Sequence, residues 1–426
     1  MGHTLRNLLL RGSRKDITLP GESRYDVAVV GAGPIGAATA RHLTDRGARV
    51  VVIGPAEPDR FDDHQGVWAG YYDQGRLAHV LEVPLVTSML ATRSLRRFAE
   101  LRERSGVTFT TPTHSLSVLP DVSSSETGSE WFDRERLIRN AEDLGVAVSP
   151  LSAEDLRRDY PRLRFAPGHV GVVQRDAFIL NPRELVRAEL AAATAAGATL
   201  VRDEVVSLGR TEDDDDEAVQ LVGKSTATWR ADKIVLATGA GTNATGLLPR
   251  RLQMQTYGAT VVLVEVDDPA TVDMPAMMYL KFMDGQLRFG GIVMSPLRYP
   301  DGRWYIKVSG NSLLDNPLES ADEIAAWVRT GGRGADIDDT YELLAELMPD
   351  QTLGSAFTRP CTVCDTPTGL PYLDRVDDRT TVVVEGERGA MAADELGRLT
   401  AEYTLTGQWK DGIPHDVFRA RWADDS

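Results

Sequence analysis

The chain has 426 residues, 42% hydrophobic and 26% charged, the composition of a folded globular protein rather than a disordered or fibrous one. Single hydrophobic cores stop growing at roughly 250 to 300 residues, so two domains are expected. The formal net charge of −16 repels phosphate backbones and anionic membrane surfaces, and neither nucleic acid nor membrane is expected as a partner.

Only two cysteines occur, Cys361 and Cys364, so there is no disulfide framework and a cytoplasmic location is expected. Residues 1–24 precede the first strong strand and read as an N-terminal arm; their three consecutive leucines are too few for a signal or membrane segment. The run Asp213 to Glu217 reads as a solvated loop tip. The seven histidines show no metal spacing and no nucleophile elbow is present, so no metal site and no hydrolase is expected.

In chain order, Tyr25 to Val30 is an apolar strand, followed by a glycine turn, a helix from about Pro34 to Arg46 and a strand at Ala48 to Ile53, one βαβ unit. Helices are expected at Val86 to Arg104 and Phe132 to Leu144, with polar Ser/Thr-rich turn residues between them. An alanine-rich helix covers Pro182 to Ala196, and short strands follow at 198–201, 205–208 and 219–223. A strand at Lys233 to Ala237 runs into Thr238 and Gly239. Strand patterns at 260–266, 286–292 and 303–308 suggest a mostly antiparallel sheet that walls a pocket. The chain ends with a strand at 381–384 and a helix from near Ala392.

The turn Gly31-Ala32-Gly33-Pro34-Ile35-Gly36 follows a strand and opens a helix, the context in which GxGxxG carries meaning. Gly31 permits the tight turn, Gly33 lets the backbone approach a pyrophosphate, and Gly36 allows close helix–strand packing, with the helix N-terminus facing the phosphates. The acidic residue usual at the end of the second strand is replaced by Gly54. Glu57 either reaches the ribose instead or is a plain loop carboxylate. A second glycine-bearing strand end, Ala237-Thr238-Gly239, comes some two hundred residues later and no second GxGxxG is present; this points to FAD held by a domain assembled from separated segments.

The segments DVAVVGAGPIGAATARHLTDRGARVVVIG, FILNPRELVRAELAAATAAGATLV, KIVLATGAG and CTVCDTPTGLPYLD resemble, in order and spacing, the D-amino-acid oxidase (DAO) superfamily, most closely its sarcosine oxidase and glycine oxidase branch. The resemblance covers Tyr25 to Gly407. It implies an α/β fold with a Rossmann-like, two-dinucleotide-binding FAD domain (25–85, 150–245, 355–426) and a mostly antiparallel α+β substrate domain (86–149, 246–354). It implies an oxidase in which a carbon next to an amine nitrogen gives a hydride to the flavin, yielding an imine and, with oxygen, hydrogen peroxide. A dehydrogenase using a quinone or protein acceptor, and a non-catalytic FAD subunit of a complex, are the alternatives.

Carried over by position, the resemblance implies a covalent flavin link at Cys361, beside the readings of a packed cysteine or a CxxC pair with Cys364. It implies that Lys307 assists the reaction with oxygen, where strand statistics alone suggest a lysine on a wet face. His64, Gly66, Val206 and the loop Gly386, Arg388, Gly389 and Met391 are expected against the cofactor. The pattern also breaks. Ala69 and Tyr72 stand where the branch carries arginines, Asn311 stands for an expected histidine, and the C-terminal loop lacks the carboxylate-binding lysine. Arg76 or Arg388 is the candidate replacement, and a simple N-methyl amino acid is a doubtful substrate.

Overall fold

A computed structural model describes residues 24–65, 67–122, 133–210, 218–310 and 312–425. The N-terminal arm up to residue 23, the acidic run, Gly66 and Asn311 fall outside these. The strand β1 (Arg24–Val30) carries the run VAVV, buried on both faces, and this forces it into the middle of a sheet covered from both sides. It pairs in parallel with β2 (Val50–Gly54) on one edge and with the late strand Thr228–Leu236 on the other. Strand Thr380–Val384 continues the parallel array beyond Thr228–Leu236, and Thr199–Arg202 continues it beyond β2. Segments far apart in the chain thus share one parallel array.

The helix α1 (Pro34–Thr44) crosses from β1 to β2 and buries Ala37, Ala38, Ala40 and Leu43. Its alanines admit close neighbours. A Cβ on Gly397 of the helix Gly389–Thr406 would lie 2.6 Å from the Ala38 Cβ, so glycine there is what lets the two helices touch. Burial of this apolar layer, at about 25 cal/mol per Å2, is the main force holding the unit together.

The second sheet has ten strands, ordered 317–318, 255–266, 304–309, 286–298, 276–283, 110–120, 169–180 and 76–78, with 356–365 on the flank of 255–266 and 149–151 on that of 169–180. All its pairings are antiparallel except that of 276–283 with 110–120. Strands Arg76–Ala78, His169–Leu180 and Ala356–Asp365 fall in segments expected for the FAD unit, yet they pair into this second sheet. The Ser/Thr-rich stretch read as turns contains an eleven-residue strand, Thr110–Pro120. Threonine suits a pleated strand as well as a turn, and antiparallel pairing with the largely buried strand His169–Leu180 makes it a strand here. Helices Ala321–Thr330 and Asp336–Leu347 were not anticipated; the second lays Leu343, Leu344 and Leu347 on the sheet.

Candidate active site

The glycine turn lies where β1 ends between its two parallel neighbours. Gly31 has φ +105°, and a Cβ there would sit 2.3 Å from the Ala237 carbonyl oxygen; a Cβ on Gly36 would sit 1.9 Å from the Gly31 oxygen. Both glycines are therefore demanded by the fold itself. Gly33 differs: a Cβ there would meet only the Tyr71 ring at 3.7 Å, an ordinary contact. Gly33 N-caps α1 with no side-chain cap, and the first turn holds no acid. The amides of Ile35 and Gly36 thus form an uncapped helix N-terminus beside a residue kept small for no internal reason, which fits an anionic pyrophosphate.

Gly54 is explained by packing. Its Cβ would lie 2.7 Å from the Ala32 Cβ, so a carboxylate cannot stand at this position. Glu57 stands three residues on: partly buried, with its pKa raised by burial against the attraction of Arg183, and 2.9 Å from Arg183 Nε without hydrogen-bond alignment. A buried carboxylate oxygen without a hydrogen-bond donor is the arrangement a ribose hydroxyl would complete. On the opposite side, Gly239 has φ +60° and starts a short turn, and Thr238 meets Thr242 at 2.9 Å.

A cavity of about 290 Å3 opens between the segment 59–76 and the second sheet. Cys361 lies in its wall, on the middle of strand Ala356–Asp365. Cys364, three residues on along the same strand, is buried, and burial pushes its thiol up. Arg76 Nη2 stands 4.0 Å from Cys361 Sγ and donates to the Gly70 carbonyl at 2.5 Å. Arg76 also bonds Asp73.

Behind Asp73 lies Lys307, only 2% exposed and not on a wet face. Its Nζ donates to Asp73 Oδ2 and to the Gly75 carbonyl, both at 2.6 Å, while Tyr299 donates its hydroxyl to Asp73 Oδ1 at 2.6 Å. Burial, aided by the adjacent Arg76 charge and opposed by Asp73, lowers Lys307 to about 8. Burial works against ionisation of Asp73 as well, but Lys307 and Arg76 overcome it and hold the carboxyl well below the usual range.

Tyr72 is buried in an edge-to-face aromatic ladder, 5.3 Å from Trp68 and 4.6 Å from Tyr71, with the Arg183 guanidinium 5.6 Å from its ring. It lines the cavity. His64 packs at 5.0 Å against Phe61, outside the cavity wall. Val206 is 48% exposed at a bulge between the strands 205–210 and 219–223.

In the C-terminal loop, a Cβ on Gly386 would lie 1.7 Å from the Cys364 carbonyl oxygen, which ties the loop to the cysteine strand. Met391 is buried inside the helix it starts. Arg388 does not line the cavity: its Nε is 3.2 Å from Glu82 Oε1, and it also meets Glu387. Glu82 is lowered to about 2, since Arg388 and His79 outweigh its burial. Arg388 therefore has a structural partner, and of the two candidate cations only Arg76 reaches the cavity. Asp73, Tyr299, Glu385 and Arg359 had no sequence signal, because what marks them is contact with residues far along the chain.

Among the described residues, no helix is long and apolar enough to cross a membrane, and no group of His, Cys, Asp or Glu is placed to hold a metal ion. The sequence profile of the DAO family, FAD dependent oxidoreductase, matches residues 26–403. Monomeric sarcosine oxidase of Streptomyces avermitilis is 30% identical over 179 residues, which is 41% of this chain and 42% of the relative. The chain thus matches less than half the length of that relative. The fold is similar to that of the amino acid oxidase NikD of nikkomycin biosynthesis, with TM-score 0.72 and 20% identity over 94% of this chain and 98% of the other. It is likewise similar to L-proline dehydrogenase of P. horikoshii, with TM-score 0.70 and 18% identity over 94% and 97% of the two chains. With the profile spanning nearly the whole described fold, the chain belongs to the DAO family of FAD-dependent oxidoreductases.

Proposed function

We propose that the protein oxidises a small amine or amino-acid-derived substrate to an imine, which water then hydrolyses, and that oxygen is the final electron acceptor. FAD, when bound, supplies the two-electron acceptor for the hydride that leaves the carbon next to nitrogen. The residues that would hold it are the turn Gly31 to Gly36, Glu57, the strand end Ala237 to Gly239, and the loop Gly386 to Met391. Cys361 would bond it covalently, since its sulfur stands in the cavity wall within 4.0 Å of Arg76 Nη2.

The observation that carries the reading is the buried Asp73, Arg76 and Lys307 group behind a cavity whose wall contains Cys361. It provides fixed positive charge in a sheltered place, the requirement for stabilising negative charge that develops on oxygen. Asp59 and Asp62, exposed at the cavity, draw a cationic amine inward. Trp68 and Tyr72 supply aromatic surface for its apolar part and exclude water. The names of the sarcosine oxidase relative and of NikD point to the same substrate class.

A dehydrogenase is the second reading. It is favoured by one observation: Asp73 partly cancels the Lys307 charge on which the oxygen reaction would draw. An anaerobic panel of primary and secondary amines, followed by admission of air, tests both. Bleaching of the flavin absorption by at least one amine is expected, with rapid recovery in air and stoichiometric peroxide. Bleaching without recovery in air moves the assignment to a dehydrogenase, and no bleaching by any amine ends the proposal.

A further inference from the structure

Residues 57–72 follow β2 and contain one short 3-10 turn, Phe61–Asp63. Among the described residues, the backbone hydrogen bonds of this segment are all local, such as those from His64 to Phe61 and from Tyr72 to Ala69, and none joins it to a strand or a helix. Its outer side chains, among them Asp59, Asp62 and Val67, are exposed. What fastens the segment is a row of side chains on its inner side.

At one end Glu57 faces Arg183 at 2.9 Å. In the middle, the Arg359 guanidinium lies over the Phe61 ring, with Cζ 4.7 Å from the centroid, and over the Phe357 ring at 4.5 Å. Arg359 and Phe357 belong to strand Ala356–Asp365, so the second sheet grips the segment through one cation and one ring. Among the described residues Arg359 forms no ion pair, and its one hydrogen bond runs to the carbonyl of the adjacent Thr358; the rings are its partners. At the far end Trp68 and Tyr72 pack with Val328, and Tyr71 lies against the glycine turn, its ring atoms 3.7 Å from the point that a Cβ on Gly33 would occupy.

That last contact matters, because Gly33 is the residue at which the backbone comes close to a pyrophosphate. The Tyr71 ring covers the approach, and a pyrophosphate reaches Gly33 only once the ring has moved. Moving it breaks side-chain contacts and no backbone ladder, the mark of a segment that opens at low cost. The part that moves is bounded on one side by β2, paired along both edges, and on the other by Asp73, held by Lys307 at 2.6 Å.

We propose that residues 57–72 form a strap that must lift from Gly33 before the dinucleotide can enter, and that Arg359 is the latch holding the strap to the second sheet; this rests on the glycine turn receiving the FAD pyrophosphate, as proposed above. With the strap down, the binding-competent form is the minor one. Capture of the cofactor at high concentration is then limited by opening and not by encounter.

Stopped-flow mixing of the full-length Cys361→Ala protein, freed of flavin so that no covalent step intervenes, with increasing FAD measures this through the change in flavin fluorescence. The observed rate is expected to level off, the plateau being the opening rate. Arg359→Met and Phe61→Leu, each added to that protein, break the same contact from its two sides. Each is expected to raise the plateau about fivefold, the scale of one ring–cation contact, and the double variant no further than either alone. Should Arg359→Met not fold, Phe61→Leu on the strap itself decides. A rate that rises linearly with FAD without levelling overturns the strap, and so does a plateau that neither variant raises; effects that multiply in the double variant overturn the latch. In each of these cases FAD still binds and the functional reading stands. No binding of FAD at all ends the reading of the glycine turn and the strap with it.

Discussion

Lys307 and Asp73 lie 234 residues apart in sequence, and their Nζ and Oδ2 atoms meet at 2.6 Å. Neither is accessible to bulk water in any useful degree, for Lys307 is 2% exposed and the Asp73 side chain 11%. The pair joins the segment that leads into strand Arg76–Ala78 to the strand Trp304–Ser309, so one carboxylate links two distant parts of the second sheet. Arg76, Tyr299 and the Gln74 backbone amide also donate to the same carboxylate.

Removing that carboxylate leaves two buried cations with no counter-ion. Asp73→Asn is therefore expected to cost about 3–5 kcal/mol of stability, the usual penalty for breaking a buried pair from one side. Adding Lys307→Met to Asp73→Asn removes one stranded charge and restores a large part of the loss. Denaturant midpoints of the wild type, both single variants and the double variant form the cycle. Additive effects would mean that the two side chains are not coupled.

The cofactor linkage is tested by acid precipitation. The wild-type pellet is expected to stay yellow and fluoresce, and Cys361→Ala is expected to release all its flavin into the supernatant. Arg76→Met, which removes the guanidinium that Cys361 Sγ meets at 4.0 Å, should leave cofactor binding in place and alter only the extent of attachment. Complete release from the wild type would remove Cys361 from the covalent role and leave it a cavity-wall residue.

The two kinds of glycine in the dinucleotide turn separate stability from cofactor binding. Gly36→Ala drives a methyl into the Gly31 oxygen, at 1.9 Å, and should destabilise the flavin-free protein. Gly33→Ala meets only the Tyr71 ring, at 3.7 Å, and should leave flavin-free stability within about 0.5 kcal/mol of wild type. Its effect falls on the cofactor instead, with a large drop in the ratio of flavin to protein absorbance. Equal flavin content in Gly33→Ala and wild type would show that the turn does not approach the pyrophosphate at this residue.

What was legible beforehand follows physical range. The β1–α1–β2 unit rests on local periodicity and a glycine turn, and those are written in consecutive residues. The strand ending at Leu236 announced its place beside β1 through an apolar run that leads into Thr238 and Gly239. Lys307 was visible as a lysine in an alternating strand, but alternation does not tell which face is wet, and here both faces are covered. Gly54 was visible as a departure, while its cause, the Ala32 methyl, depends on how two loops meet. Asp73, Tyr299 and Arg359 were silent, since each acquires meaning only from a partner or a cavity wall supplied by another part of the chain.

Glu385 gives the remaining test, one of pH. It ends the buried strand Thr380–Val384 and precedes the helix Gly389–Thr406; its Oε1 accepts from the Arg388 amide at 2.9 Å, and its Oε2 is buried without a hydrogen-bond partner. Burial raises the carboxyl to about 7 from an ordinary value of 4.5. Between those two values the native state holds more protons than the unfolded chain, so the stability contributed by the protonated acid is complete below pH 4.5 and is lost as pH rises through 7. Glu385→Gln keeps the shape and cannot ionise. Its melting temperature relative to wild type is expected to climb steadily from pH 5 to pH 8, by the equivalent of no more than about 3 kcal/mol. Glu189, also raised to about 7 by burial, titrates in both proteins and cancels in the difference. The comparison belongs in flavin-free protein, where a cofactor beside this loop cannot shift the equilibrium by mass action. A difference that does not vary with pH would place the Glu385 carboxyl in water, with the loop open around it.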